Sequence, residues 1–164
     1  MQLKVKTQRL AKVAPLSVLE AEAVRLLAFD GEEVTLEPQA VLFRQGEVAD
    51  SGYAVISGAV GLEREADLQT PERLMSAGSL IGVHALIVEG ERPVTATARE
   101  KSLLIKLPRR LMLRVLEAFP DSAIAFKHYI QGSIAERASA LGRVADAIDA
   151  MAASYKSRPS KTGT

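Results

Sequence analysis

The stretch "GEVADSGYAVISGAVGL", residues 46–62, decides the fold. Glycines at 46, 52 and 58 separate short apolar runs that include Tyr53 and Ile56. Gly58, inside "SGAVG", stands between two such runs where a tight hairpin would close. Similar runs lie on both sides: "EVTL", "AVLF", "RLMS", "VTATARE" and "SLLIKL", divided by Gly, Pro, Asp and Ser. Short strands recurring at a spacing of roughly 8–12 residues predict an all-β sandwich or barrel over residues 32–107.

Helical patterns flank this region. Residues 8–29 read as helix, with Leu16, Leu19, Ala23, Leu26 and Leu27 on one face. Ser17 is placed to cap it, with Glu20 three residues on as a capping box. After the strands, Pro108 suits a first helical turn, and "RRLMLRVLEAF" runs to Pro120, which opens a longer helix with Asp121 near its positive end. Along that helix Ile134, Leu141, Ile148 and Tyr155 recur every seven residues, with Val144 and Met151 at a second seam position. A heptad seam of this length predicts pairing with a second copy of the chain. The expected division is an N-terminal segment 1–15, a domain 16–153 that includes the long helix, and a disordered basic tail 154–164.

Composition narrows the function. With 164 residues the chain suits one domain with a substantial core. It has no cysteine, which excludes disulfides, thiolate metal sites and cysteine nucleophiles. Lys and Arg number 21 against 20 Asp and Glu, with the signs interspersed, so no nucleic-acid footprint covers the whole chain. No apolar run approaches the roughly 20 residues a membrane helix needs. The N-terminus lacks a signal peptide's apolar block, so a cytoplasmic location is expected. The motifs G-x-S-x-G, G-x-x-x-x-G-K-[ST] and H-E-x-x-H are all absent, and the carboxylates are scattered, so no enzyme is expected.

The second informative block is "LIGVHALIVEGERPVT", residues 80–95. Its apolar run predicts one short buried helical turn, followed by Arg92 behind a glycine turn. A short turn with a guanidinium beside it supplies parts that hold a phosphate: backbone donors and a charge-assisted fork. Gly82 would let a ligand approach the main chain. The basic group Lys106, Arg109, Arg110 and Arg114 is expected to form a solvated face.

Taken together, the glycine-spaced hairpin and the block from Gly78 to Ala98 resemble the cyclic nucleotide-binding domain of the catabolite activator and Fnr-type regulators. The resemblance covers about residues 16–150. It implies an α+β fold: a β-roll, a jelly-roll-type barrel, with N-terminal helices and a long C-terminal dimerisation helix. It places Gly82 at the family's cassette glycine, Ala85 and Leu86 in the short helix, and Arg92 at the phosphate-binding arginine. The family's ribose-binding glutamate is replaced by Val83, which leaves a ribose hydroxyl unpaired at a cost of about 1–3 kcal/mol. The residue after the arginine is Pro93, which offers neither N–H nor hydroxyl. Near Arg137 and Ala138 the Thr–Ser pair that reads adenine is missing.

His84 adjoins the replaced glutamate, and "GSLIGVHA" is similar to the haem-ligating stretch of the carbon monoxide-sensing regulators in this superfamily. Those regulators take a second ligand from a proline at position 2, where this chain has Gln2. The sequence therefore leaves several functions open. One is a stand-alone signalling module that senses a cyclic nucleotide or another anionic small molecule at Gly82, Val83, His84, Ala85, Arg92, Pro93 and Arg137. Another is a dimeric interaction module with a degenerate pocket that meets a protein partner through helix surface. A haem gas sensor using His84, or the remnant of a transcription regulator without its DNA-binding domain, are the alternatives. The resemblance implies a homodimer seam at Ile134, Leu141, Val144, Ile148 and Met151; its DNA-binding members carry a helix-turn-helix after that helix, for which the residues here leave no room, so no direct DNA contact is expected.

Overall fold

The computed structural model describes residues 1–64 and 72–140, with side chains as far as Gly132. Two units divide the chain, Met1–Phe126 and Lys127–Thr164, and the fold below is that of the first. Helix α1 (Leu3–Leu10), a 3-10 turn (Leu16–Val18) and α2 (Ala21–Asp30) precede the strands. The strands are β1 (Glu32–Leu36), β2 (Val41–Phe43), β3 (Val48–Ala49), β4 (Ser51–Ser57), β5 (Ala59–Glu63) and β6 (Arg73–Ser76). Then come β7 (Leu80–Ile81), a second 3-10 turn (His84–Leu86), β8 (Gly90–Glu91), β9 (Thr95–Ala98) and β10 (Ser102–Pro108). Helices α3 (Arg109–Ala118) and α4 (Pro120–Ala140) follow.

The strands form two four-stranded antiparallel sheets, ordered β1-β10-β4-β7 and β2-β9-β5-β6, with the pair β3-β8 beside them. Leu36, Phe43, Tyr53, Val55, Val60, Ile81, Ala96, Ala98 and Leu104 form one buried core drawn from both sheets. This is the expected β-roll. Strand β10 is buried on both faces. Leu104 joins the core of the roll, while a Cβ on Gly31, at the end of α2, would lie 2.8 Å from Ile105 and 3.2 Å from Leu107. Val24, Leu27 and Ala28 of α2, with Leu111, Met112 and Val115 of α3, are buried in the helical layer.

Two helical expectations are corrected. The continuous helix over 8–29 breaks into α1, a turn and α2, because Pro15 has no N–H to carry the helical hydrogen bonds onward. The box at Ser17 does not form: Glu20 is the N-cap of α2, and its amide donates to Ser122 Oγ of α4 at 2.8 Å. The Ser122 hydroxyl donates in return to Glu20 Oε2 at 3.0 Å, so the residue that starts α2 is tied across the fold to the start of α4. Leu26, expected on the buried face, is 38% exposed, and Val24 is buried instead. The run 80–88 holds the short turn expected of it, entered through strand β7.

Gly58 closes the β4–β5 hairpin at φ +94°, and a Cβ there would lie 2.6 Å from the carbonyl oxygen of Lys101. Gly58→Ala is therefore expected to lower unfolding free energy by about 1–3 kcal/mol in urea titration. Unchanged stability would refute the left-handed hairpin.

Candidate functional site

Arg92 is held by its main chain before its side chain does anything. Its N–H donates to Glu47 O at 2.7 Å, and its carbonyl accepts from Gly46 N at 2.9 Å. The Val48↔Glu91 and Ala49↔Gly90 pairs of β3 and β8 continue this clamp. Strand β9 begins three residues later, so the 46–49 turn fixes the root of the side chain at the end of the second sheet. From there the side chain enters the roll, and the residue as a whole is 4% exposed.

Inside, its carbon lies 4.2 Å from the Phe43 ring centroid and 5.6 Å from that of Tyr53. Both are within cation–π range, together worth on the order of 1–2 kcal/mol. Nη2 donates to the buried Ser51 hydroxyl over a long 3.4 Å, and that hydroxyl donates to Asp50 Oδ1 at 3.0 Å. Arg92 Nε has no partner, and among the described residues no other buried side-chain nitrogen or oxygen is left so. Burial pushes the guanidinium pKa below its ordinary value, against the opposing pull of Tyr53, Asp50 and Glu47. Desolvating a cation costs several kcal/mol, more than two ring contacts and one stretched hydrogen bond return. The charge is held at net cost.

Gly82 gives the guanidinium its room. The residue sits at φ +79°, and a Cβ there would lie 2.9 Å from Arg92 Nη1. Beyond it, Ala85 N donates to Gly82 O and Leu86 N to Val83 O, closing the second 3-10 turn. Leu86 is buried where a Cβ on Gly52 would meet it at 3.0 Å, so the turn packs against β4.

A cavity of about 260 Å³ opens beside Arg92, lined by Phe43, Leu62, Glu63, Arg64, Arg73, Ile81, Gly82, Arg92, Pro93 and Val94. Of the sequence-derived candidates, Gly82, Arg92 and Pro93 meet there. Val83 is half-buried and Ala85 buried outside the lining. His84 is exposed and does not line the cavity. No group of three His, Cys, Asp or Glu that could hold a metal ion occurs among the described residues. Arg137 and Ile134 belong to the backbone of α4 and their side chains are outside the described residues, as are Leu141, Val144, Ile148, Met151, Tyr155 and the tail.

The sequence reading missed Phe43, Leu62, Ser51, Arg64 and Arg73. Alternation along "LER" was a usable signal, since residues 62 and 64 share a strand face. It also misread Arg109 as part of a solvated face. Arg109 is half-buried, and its Nη1 lies 3.0 Å from Ala49 O, 3.1 Å from Ala85 O and 3.3 Å from Val88 O. The first residue of α3 thus ties the cassette turn to the end of β3. Arg114, by contrast, is an exposed ion pair with Asp30 at 2.9 Å.

A β-roll with a turn and a buried arginine at its pocket defines a class of regulatory binding domain. The profile of the cyclic nucleotide-binding domain matches residues 33–119, more than half of the chain, which therefore belongs to that family. No curated protein matches the chain. Among solved structures, a cyclic nucleotide-binding-like protein from Brucella abortus is 31% identical at TM-score 0.60, covering 69% of this chain and 98% of its own. The N-terminal domain of a transcriptional regulator from Streptomyces coelicolor is 26% identical at TM-score 0.68, covering 80% and 94%. The catabolite activator protein of Thermus thermophilus is 28% identical at TM-score 0.65, covering 77% and 61%. The resemblance read from the two glycine-rich blocks holds.

Because Arg92 is buried at net cost, Arg92→Met, which keeps the length and removes the charge, is expected to leave urea stability equal or higher by up to about 2 kcal/mol. A loss of more than 2 kcal/mol would make the arginine a structural element.

Proposed function

We propose that the chain is a non-enzymatic regulatory module whose β-roll senses a small anionic ligand. The observation that carries this reading is the buried Arg92 guanidinium with an unpartnered Nε beside a cavity. An arginine kept there for packing alone would have its donors satisfied; one kept for an anion leaves them for the ligand. Membership of the cyclic nucleotide-binding family supports the same reading. Anion binding would draw on Arg92 and Gly82, and Arg109 would carry the change in the cassette turn to α3.

The test is thermal unfolding of the whole chain with a panel of cyclic and linear nucleotides and inorganic phosphate. A ligand at a hundred times its dissociation constant adds about 2.7 kcal/mol, a rise of several degrees. The rise is expected with at least one anion and should vanish in Arg92→Ala. No rise with any of them would overturn the reading.

A second reading, a dimeric interaction module with a silent pocket, is favoured by Val83 and Pro93, which lack the polar groups of the family cassette. Both readings include self-pairing along the heptad seam. Light scattering is expected to give a dimer that Leu141→Asp reduces to monomer; a monomeric wild-type chain would remove the seam from the proposal.

A further inference from the structure

The anion reading can be taken further at the cavity itself, on which the following rests. Two more guanidinium side chains line the same cavity as Arg92: Arg64, directly after β5, and Arg73, the first residue of β6. Their placement follows from the strands. Leu62 pairs with Arg73 across β5 and β6, so the two share a sheet face, and Arg64, two residues beyond Leu62, returns to that face. Leu62 also pairs with Ala96 of β9, and Val94, two residues before Ala96, lines the cavity too. One sheet face thus presents two arginines to the cavity that Arg92 enters from its floor.

Among the described residues, no carboxylate pairs with Arg64 or Arg73 in the cavity. Glu63 contributes to the lining, but its Oε1 lies 3.6 Å from Arg99 Nη2, whose guanidinium also hydrogen-bonds Glu72. Neither Arg64 nor Arg73 makes an ion pair with a carboxylate among the described residues. The acids facing Arg92, Glu47 and Asp50, are engaged elsewhere: Glu47 Oε1 accepts from Arg44 N at 3.0 Å and Asp50 Oδ1 from Ser51. Tyr53 faces Arg92 with its ring. Neither histidine of the chain lines the cavity.

We propose that this cavity takes a doubly charged phosphate monoester in preference to a singly charged cyclic diester. The monoester's terminal oxygens meet Arg92, and its second charge is matched by Arg64 and Arg73 at the rim. A cyclic phosphodiester has one negative charge and leaves the rim pair uncompensated. At about 260 Å³ the cavity is just below the range of drug-sized sites, roughly 300–1,000 Å³, so the ligand is compact. Phe43, Leu62, Ile81 and Val94 give it an apolar wall for an uncharged body.

Calorimetric titration of the whole chain with adenosine 5′-monophosphate and 3′,5′-cyclic adenosine monophosphate, at pH 7.5 and pH 5.0, separates the charge states. The second ionisation of a phosphate monoester lies near pH 6. The monoester is expected to bind at least tenfold tighter than the diester at pH 7.5. It should lose about tenfold at pH 5.0, where roughly nine-tenths of it is monoanion, while the diester changes little. Arg64→Gln with Arg73→Gln, both at exposed positions, should abolish the preference, weakening the monoester at least tenfold more than the diester. Equal or tighter binding of the diester, or a preference that survives the double substitution, overturns the proposal and leaves anion sensing standing. Binding of neither nucleotide, with no response to inorganic phosphate, overturns both.

Discussion

Strand β10 is the constraint on which the rest depends. It is hydrogen-bonded to β1 on one side and β4 on the other, and both of its faces are buried. One face closes the roll through Leu104; the other receives α2 through Ile105 and Leu107. A strand buried on both faces cannot slip by one residue without exchanging the two sets of neighbours. Its far end is therefore fixed, and there Arg109 N donates to Asp50 O at 2.8 Å. The strand that seals the core also sets where α3 begins, at the residue that clamps the turn.

Against this rigid frame the pocket is a deliberate exception. The core around Arg92 is apolar and aromatic, a setting in which natural chains rarely leave a cation. The backbone around it is over-determined: the 46–47 turn grips the main chain on both sides, and Gly82 clears the space for the guanidinium. Such a frame holds the charge in place without satisfying it. Preorganised, under-coordinated donors would favour an anion there, because neither desolvation nor ordering would remain to be done on its binding. The missing partner of Nε and the lowered pKa are two views of the same condition.

Much of this was legible in the residues. Strand runs, glycine hairpins and the turn before Arg92 follow from period-two alternation and from glycine's freedom at positive φ, both local properties. The helix break at Pro15 was legible too and went unread, because the apolar spacing of Leu16, Leu19 and Ala23 suits a helix whether or not it continues through 11–15. What the sequence does not carry is cross-strand partnership. Arg73 joins Leu62 only through the β5–β6 register, and Ser122 accepts from the Glu20 amide from more than a hundred residues away. Arg109 looked like one of several surface bases because composition cannot distinguish a guanidinium facing water from one facing three carbonyls.

That distinction bears on how a ligand bound in such a pocket would be felt at α3. A ligand shifts a conformational equilibrium only by as much as it binds one arrangement better than another, so something must differ between arrangements at both the pocket and the output. Gly82, just before the His84–Leu86 turn, lies against Arg92, and the carbonyls of Ala85 within the turn and Val88 beyond it are held by Arg109 at the start of α3. A guanidinium bridging three carbonyls has no equivalent short of all three: moving the turn lengthens bonds that also anchor Ala49, the strand beside the main-chain clamp of Arg92. The two arginines therefore share one loop of structure, in which the position of the turn, the end of β3 and the first residue of α3 are set together rather than one at a time.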